Sequence, residues 1–68
     1  MELAKIIHVV ASSTKSFEDA VQTGVTQAAK SVHGISGVKV TDWTAKVEGN
    51  KLVHYKVTMD VAFAVDDK

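Results

Sequence analysis

The sequence contains no cysteine, which excludes disulfides and thiolate-liganded metal sites. It has only 68 residues, and a domain of that size buries only about 60% of the surface that its unfolded chain exposes. The three histidines, His8, His33 and His54, form neither an HxxxH nor an HxH pair, which argues against a structural zinc site. Small scaffolds need disulfides, a structural metal or further subunits for stability. We therefore predict a single domain over residues 1–68 that is stabilised by oligomerisation.

An excess of charge of one sign is also missing. Eight Lys and Arg residues balance eight Asp and Glu residues, and no basic segment is present that would follow a phosphate backbone. No stretch reaches the roughly 20 apolar residues of a membrane span. The N-terminal segment MELAKIIHVVASS is interrupted by Lys5 and His8 and lacks the form of a signal peptide. We therefore predict a soluble, cytoplasmic protein without nucleic-acid or membrane partners.

Motifs that carry catalysis are absent as well. The sequence has no Gly-rich phosphate loop, nucleophile elbow or metal-ligand spacing. His54 is adjacent to Tyr55, but neighbouring residues of a strand point to opposite faces, and no carboxylate is placed to orient the imidazole. We predict that the protein is not an enzyme and that His54 and His8 are surface or interface residues.

The first half of the chain predicts a strand followed by a helix. Residues 3–11, LAKIIHVVA, are apolar at odd and even positions, which is typical of a strand covered on both faces. Ser16 and Asp19 then have the spacing of a capping box. Apolar residues recur downstream at intervals of four, four, three and four, which predicts an amphipathic helix over residues 17–33 that ends at Gly34. These apolar residues are Phe17, Val21, Val25, Ala28 and Val32.

Gly24 lies on the apolar side of this predicted helix. A glycine inside a helix costs up to about 1 kcal/mol in propensity relative to alanine. We expect a close approach of another backbone segment at Gly24 as the compensation.

The second half of the chain predicts a long hairpin. Residues 37–48 and 51–65 form its strands, joined by the polar turn Glu48-Gly49-Asn50-Lys51, which holds a residue that tolerates positive φ at its centre. In the second strand the odd positions are apolar and the even positions are mostly polar, so the odd face is expected to pack on the helix. The odd positions are Val53, Tyr55, Val57, Met59, Val61, Phe63 and Val65.

The first hairpin strand contains the only tryptophan, Trp43, and a change of apolar phase. The apolar residues Val38 and Val40 lie at even positions, whereas Trp43 begins a series of apolar residues at odd positions. This change of alternation predicts a β-bulge or bend near residues 41–42. With the bulge, Trp43 packs on apolar surface near the bend or at a subunit contact, and we favour this interpretation. Without it, Trp43 shares the face of Gly37 and lines a cavity.

The lengths of the predicted elements indicate an oligomer. A helix over residues 17–33 spans about 25 Å, whereas a strand over residues 51–65 reaches about 50 Å. The sheet must therefore curl around the helix, and its uncovered edges must find partners in other copies of the chain. The predicted fold class is α+β, with the order β-α-β-β and a three-stranded antiparallel sheet wrapped around one helix.

This order of elements, with the segments SFEDAV, VEGNKLVHYKV and MDVAF, resembles the dodecin family of small flavin-binding proteins over residues 3–65. The resemblance implies a hollow homododecamer in which flavins, FMN or riboflavin, lie in pairs at two-fold subunit contacts between aromatic side chains. It also implies a storage and photoprotective role without turnover.

The residues that carry flavin in the family differ in this chain. Flavin-binding dodecins have a Trp at the start of the second strand, three residues before a Val, and a Gln after the Tyr of an HYQV stretch in the third strand. These positions fall on Gly37 and Lys56, both on the sheet face away from the helix by parity. The resemblance implies a flavin site at Gly37 and Lys56, and Val38 and Trp43 are added as candidate residues of this site, although the family has an aliphatic residue at the position of Trp43. Its binding is expected to be weak, since ring stacking is worth about 1–3 kcal/mol and Lys offers only donors.

A second function stays open because some dodecin-like proteins without the Trp are associated with calcium. In this alternative the shell has lost flavin binding and serves as a structural or ion-binding assembly. Its ions would be held by the carboxylates of Glu48, Asp60, Asp66 and Asp67 around a symmetry axis, or axial channels lined by Lys56 would take up ions or anions.

Overall fold

A computed structural model describes residues 3–65 of the chain. The elements follow in the order β1 (Leu3–Ser13), α1 (Phe17–Ala28), β2 (Ile35–Glu48) and β3 (Lys51–Val65). The strands form one antiparallel sheet in the order β1-β3-β2, with β3 in the middle. The predicted β-α-β-β architecture is confirmed, and the bounds of β3 agree with the prediction at both ends.

The helix is shorter than predicted. It spans Phe17–Ala28 rather than residues 17–33. The backbone N–H groups of Lys30 and Ser31 bond to carbonyl oxygens three residues back, which is the spacing of a tightening last turn. The prediction was wrong because the apolar spacing continues beyond the point at which the backbone leaves the helix. Gly34, at a φ of 74°, then turns the chain towards β2.

The N-terminus of α1 is capped as the sequence predicts. The Ser16 Oγ accepts a hydrogen bond from the backbone N–H of Asp19 at 2.9 Å. The Asp19 carboxylate does not complete a reciprocal box, because it accepts instead from the Ser13 Oγ at 2.6 Å. The cap therefore also fastens the end of β1 to the start of the helix.

Replacing Ser16 by alanine is expected to lower the free energy of unfolding by about 1 kcal/mol, the usual value of an N-cap hydroxyl. The measurement is urea unfolding followed by circular dichroism at a fixed chain concentration. Ser16→Asp is the matched control, because it keeps an oxygen acceptor at the cap and is expected to lose little. Equal losses in the two variants would contradict the capping role.

The core lies between α1 and the odd-numbered face of β3. Its buried residues are Ala20, Ala28, Val57, Met59 and Val61. Gly24 is also buried, and a Cβ at this position would stand 2.1 Å from the Met59 Cε. The predicted close approach at Gly24 is therefore present, but the group that approaches is the Met59 side chain and not a backbone segment.

The hairpin turn and the phase change of β2 are both confirmed. Gly49 and Asn50 have φ values of 59° and 65°, and two successive positive φ values are typical of a type I′ turn, whose twist matches that of the strands. In β2 the register shifts between Val40 and Asp42, which leaves Thr41 as the extra residue of a bulge. Trp43 therefore lies on the face that packs against α1.

The sheet is much longer than the helix that covers it. The described part of the chain measures 54 × 19 × 13 Å, whereas the 12 residues of α1 span about 18 Å. Large apolar side chains are consequently exposed at both ends of the sheet and on its uncovered face. Among residues 3–65, no helix is long and apolar enough to cross a membrane.

Candidate functional site

The sheet face opposite α1 is open, and we refer to it as the outer face. Because the odd-numbered residues of β3 are buried under the helix, its even-numbered residues from Lys56 to Ala62 point outwards. The strand register places Ile6 beside Ala62 and Val10 beside Thr58 on this face. Ile6 and Val10 are 60% and 63% exposed. The expectation that β1 is covered on both faces is thus not met within one chain, and the apolar outer side of β1 needs a partner.

Gly37 lies in the outer-face row that also contains Ala62 and Ile6. A Cβ built on Gly37 would meet no atom within 4 Å. A side chain at position 37 would therefore start in open space beside the apolar residues Ala62 and Ile6.

Lys56 lies on the same face near the other end of β3. Its register neighbours are Ser12 on β1 and Thr44 on β2, so hydroxyl groups flank the ammonium on both sides. Within residues 3–65, no carboxylate forms an ion pair with Lys56. Ala62, the register partner of Gly37, lies six positions beyond Lys56 along β3, and this spacing corresponds to about 20 Å between the two residues. One chain thus places Gly37 and Lys56 on one face but does not bring them together.

A polar row crosses the outer face between these two positions. Asp60 lies between His8 on β1 and Lys39 on β2. The His8 Nδ1 contacts the Asp60 Oδ1, although the contact is not aligned as a hydrogen bond. His8 was expected at the surface or at an interface, but its pairing with Asp60 was not predicted. The pair depends on the register between β1 and β3, and no turn or short sequence motif determines that register.

Val38 and Trp43 lie on the helix side of the sheet, since they pair in register with Val61 and Val57. The Trp43 ring meets Phe17 edge to face, with ring centroids 5.3 Å apart and planes at 88°. It is still 53% exposed. The interpretation of Trp43 as packing near the bend is confirmed, and the alternative in which it shares a face with Gly37 is wrong because of the bulge at Thr41.

The fold and its open face define a small α+β module that offers one side of a sheet to a ligand or to further subunits. The family model for Dodecin matches residues 3–66. The chain therefore belongs to the dodecin family. Comparison with curated protein sequences gives no significant match.

Solved structures with the same fold include dodecins. A dodecin from Streptomyces davaonensis is 21% identical over 97% of each chain, with a TM-score of 0.87. A mutant of the dodecin from Thermus thermophilus is 20% identical over the whole of both chains, with a TM-score of 0.90. A calcium dodecin from Mycobacterium tuberculosis, described as a calcium-chelating antigen, is 25% identical over 94% of this chain and 91% of its own, with a TM-score of 0.78.

Proposed function

We propose that this chain is the subunit of a cytoplasmic homododecameric shell that binds flavin, FMN or riboflavin, on the outer face without catalysis. The observation that carries the proposal is the open space above Gly37 in a chain of the dodecin family. The exposed apolar side chains Ile6 and Val10 on the same face further support a covered, assembled state.

The proposed site is completed by more than one subunit. Gly37 and Lys56 lie on one face but about 20 Å apart along the strand, so a ligand that touches both must take them from different copies. Val38 and Trp43 lie on the helix side in their own subunit. They reach the proposed site only from a neighbouring subunit, which ties flavin binding to assembly.

The proposed binding is weak. A flavin ring over Gly37 lacks an aromatic platform, and a stacking contact of this kind contributes about 1–3 kcal/mol. Lys56 adds a charge and donors but no acceptor, so it cannot form the paired contact that an amide makes with a ring edge.

A second candidate is a shell that holds calcium or serves a structural role, favoured by the likeness to the calcium dodecin. Residues 3–65 contain no group of three His, Cys, Asp or Glu residues that would hold a metal. Glu48 lies 3.4 Å from the Lys46 Nζ, and Asp60 contacts His8. Asp66 and Asp67 lie outside the described residues. Such a calcium site would therefore combine carboxylates from several subunits.

Native mass spectrometry after incubation with FMN tests both candidates. We expect a mass of about 88 kDa for twelve chains of 7.3 kDa, with added masses in multiples of one flavin. An empty shell, or one that gains calcium and no flavin, would favour the second candidate. A monomer at micromolar concentration would contradict the assembly on which both candidates depend.

A further inference from the structure

The end of β1 and the start of β3 form a cleft of about 370 Å³, here called the β1 cleft, which is lined by Ser12, Ser13, Thr14, His54 and Lys56. All five lining residues carry a polar hydrogen-bonding group and none is acidic. The cleft shares Lys56 with the proposed flavin site, but its other residues are not part of that site.

The charge of the β1 cleft is unbalanced. The other lysines of the hairpin strands with a defined neighbour face acids, since Lys39 lies beside Asp60 in the register and Lys46 lies 3.4 Å from Glu48. The register neighbours of Lys56 are hydroxyl residues instead. A cationic side chain surrounded by neutral donors is an arrangement that favours an anion.

His54 enters the β1 cleft from a distorted segment of β3. Its φ of 52° is left-handed, a conformation that costs a non-glycine residue about 1–2 kcal/mol. The register skips His54 between the pairs Ala45–Tyr55 and Lys46–Val53, so it is the extra residue of a bulge. Bulges of this kind redirect a side chain, and backbone held in an unfavourable conformation concentrates at binding sites.

The donors of the β1 cleft fit an oxyanion that only accepts hydrogen bonds. Lys56 supplies an ammonium, His54 a ring N–H, and Ser12 and Thr14 supply hydroxyls. Ser13 contributes less, because its hydroxyl already donates to Asp19 and accepts from the Lys15 backbone N–H. We infer that the β1 cleft binds a phosphate group, either as the free ion or as the phosphomonoester of a larger ligand.

Calorimetric titration of the full chain with inorganic phosphate tests the inference without any flavin. Saturable binding is expected, weakened at least ten-fold by Lys56→Gln and restored in part by Lys56→Arg. Lys46→Gln is the matched control, because it removes a lysine of the same hairpin outside the cleft, and it is expected to leave affinity within two-fold. Absence of saturable binding by correctly folded protein, or an equal loss in the Lys46 variant, would overturn the inference.

Competition distinguishes the two sources of phosphate and separates this inference from the proposed function. If the group belongs to FMN, inorganic phosphate competes with FMN and not with riboflavin. If phosphate binds while neither flavin does, the β1 cleft stands as a site for the free ion and the proposed flavin function fails. If both flavins bind equally and inorganic phosphate shows no saturable binding, the phosphate inference fails and the proposed function stands.

Discussion

Replacing Met59 by alanine is expected to lower the free energy of unfolding by about 2–5 kcal/mol, the range for a methionine truncated in a packed core. Met59 is completely buried, and its Cε occupies the space that a Cβ of residue 24 would need. Truncation therefore leaves a cavity directly beneath the helix. Urea unfolding at a fixed chain concentration measures the loss, since subunit association changes the apparent stability.

The same contact predicts that the effect of Gly24→Ala on the free energy of unfolding depends on the residue at position 59. In the unsubstituted chain, Gly24→Ala places its Cβ 2.1 Å from the Met59 Cε and 3.1 Å from the Ala11 Cβ. Overpacking of this kind costs about 1–3 kcal/mol, which outweighs a gain of up to about 1 kcal/mol in helix propensity. In the Met59→Ala background only the 3.1 Å approach to the Ala11 Cβ remains, and Gly24→Ala is expected to destabilise less than in the unsubstituted chain.

Gly37→Ala is the matched control for this cycle, since a Cβ on Gly37 meets nothing within 4 Å. We expect its effect to be the same in both backgrounds, within the roughly 0.3–0.5 kcal/mol typical of independent sites. Additive effects of the Gly24 and Met59 substitutions would show that the two residues are not in contact.

The double substitution Gly37→Trp with Lys56→Gln is expected to raise riboflavin affinity at least ten-fold. Indole stacking supplies about 1–3 kcal/mol per ring, and the amide restores a group that both donates and accepts. The open space at Gly37 accepts the new side chain. Riboflavin is the right probe because it has no phosphate, so loss of the Lys56 charge does not obscure the gain. Titration by quenching of riboflavin fluorescence gives the affinity.

Val38→Trp controls for the mere presence of an added aromatic side chain. It introduces the same indole one residue away but on the helix side of the sheet, because Val38 pairs in register with Val61. We expect no gain in riboflavin affinity from this variant. A gain equal to that of the double substitution, or no gain in either, would move the flavin site away from Gly37 and Lys56.

Features set by local alternation were predictable from the sequence. The bounds of β3 follow from the regular alternation of apolar residues between positions 51 and 65, and the bulge at Thr41 follows from the phase change before Trp43. The end of the helix was not predictable from spacing alone. Apolar residues continue past Ala28, whereas the backbone N–H groups of Lys30 and Ser31 bond to carbonyl oxygens three residues back instead of four.

Contacts between β1 and β3 were beyond sequence reasoning for a different reason. These strands are joined through α1, so no short turn fixes their register, unlike that of β2 and β3. The contact of His8 with Asp60 and the approach of Ser12 to Lys56 both depend on this register. The alternation of side chains along the strands was enough to place Gly37 and Lys56 on one face of the sheet. It did not reveal that the two residues lie far apart within a single chain.

The bulge at Thr41 also determines how β2 tolerates a change of length. A strand has two faces, and one residue more or less moves every following side chain to the other face. In β2, however, the turn at Gly49 and Asn50 fixes the pairing from the other end, so deletion of Thr41 would remove only the extra residue and leave Trp43 paired with Val57 beneath the helix. A change of one residue in the length of β2 at this position is therefore absorbed by the bulge and does not move the aromatic side chain from one face of the sheet to the other.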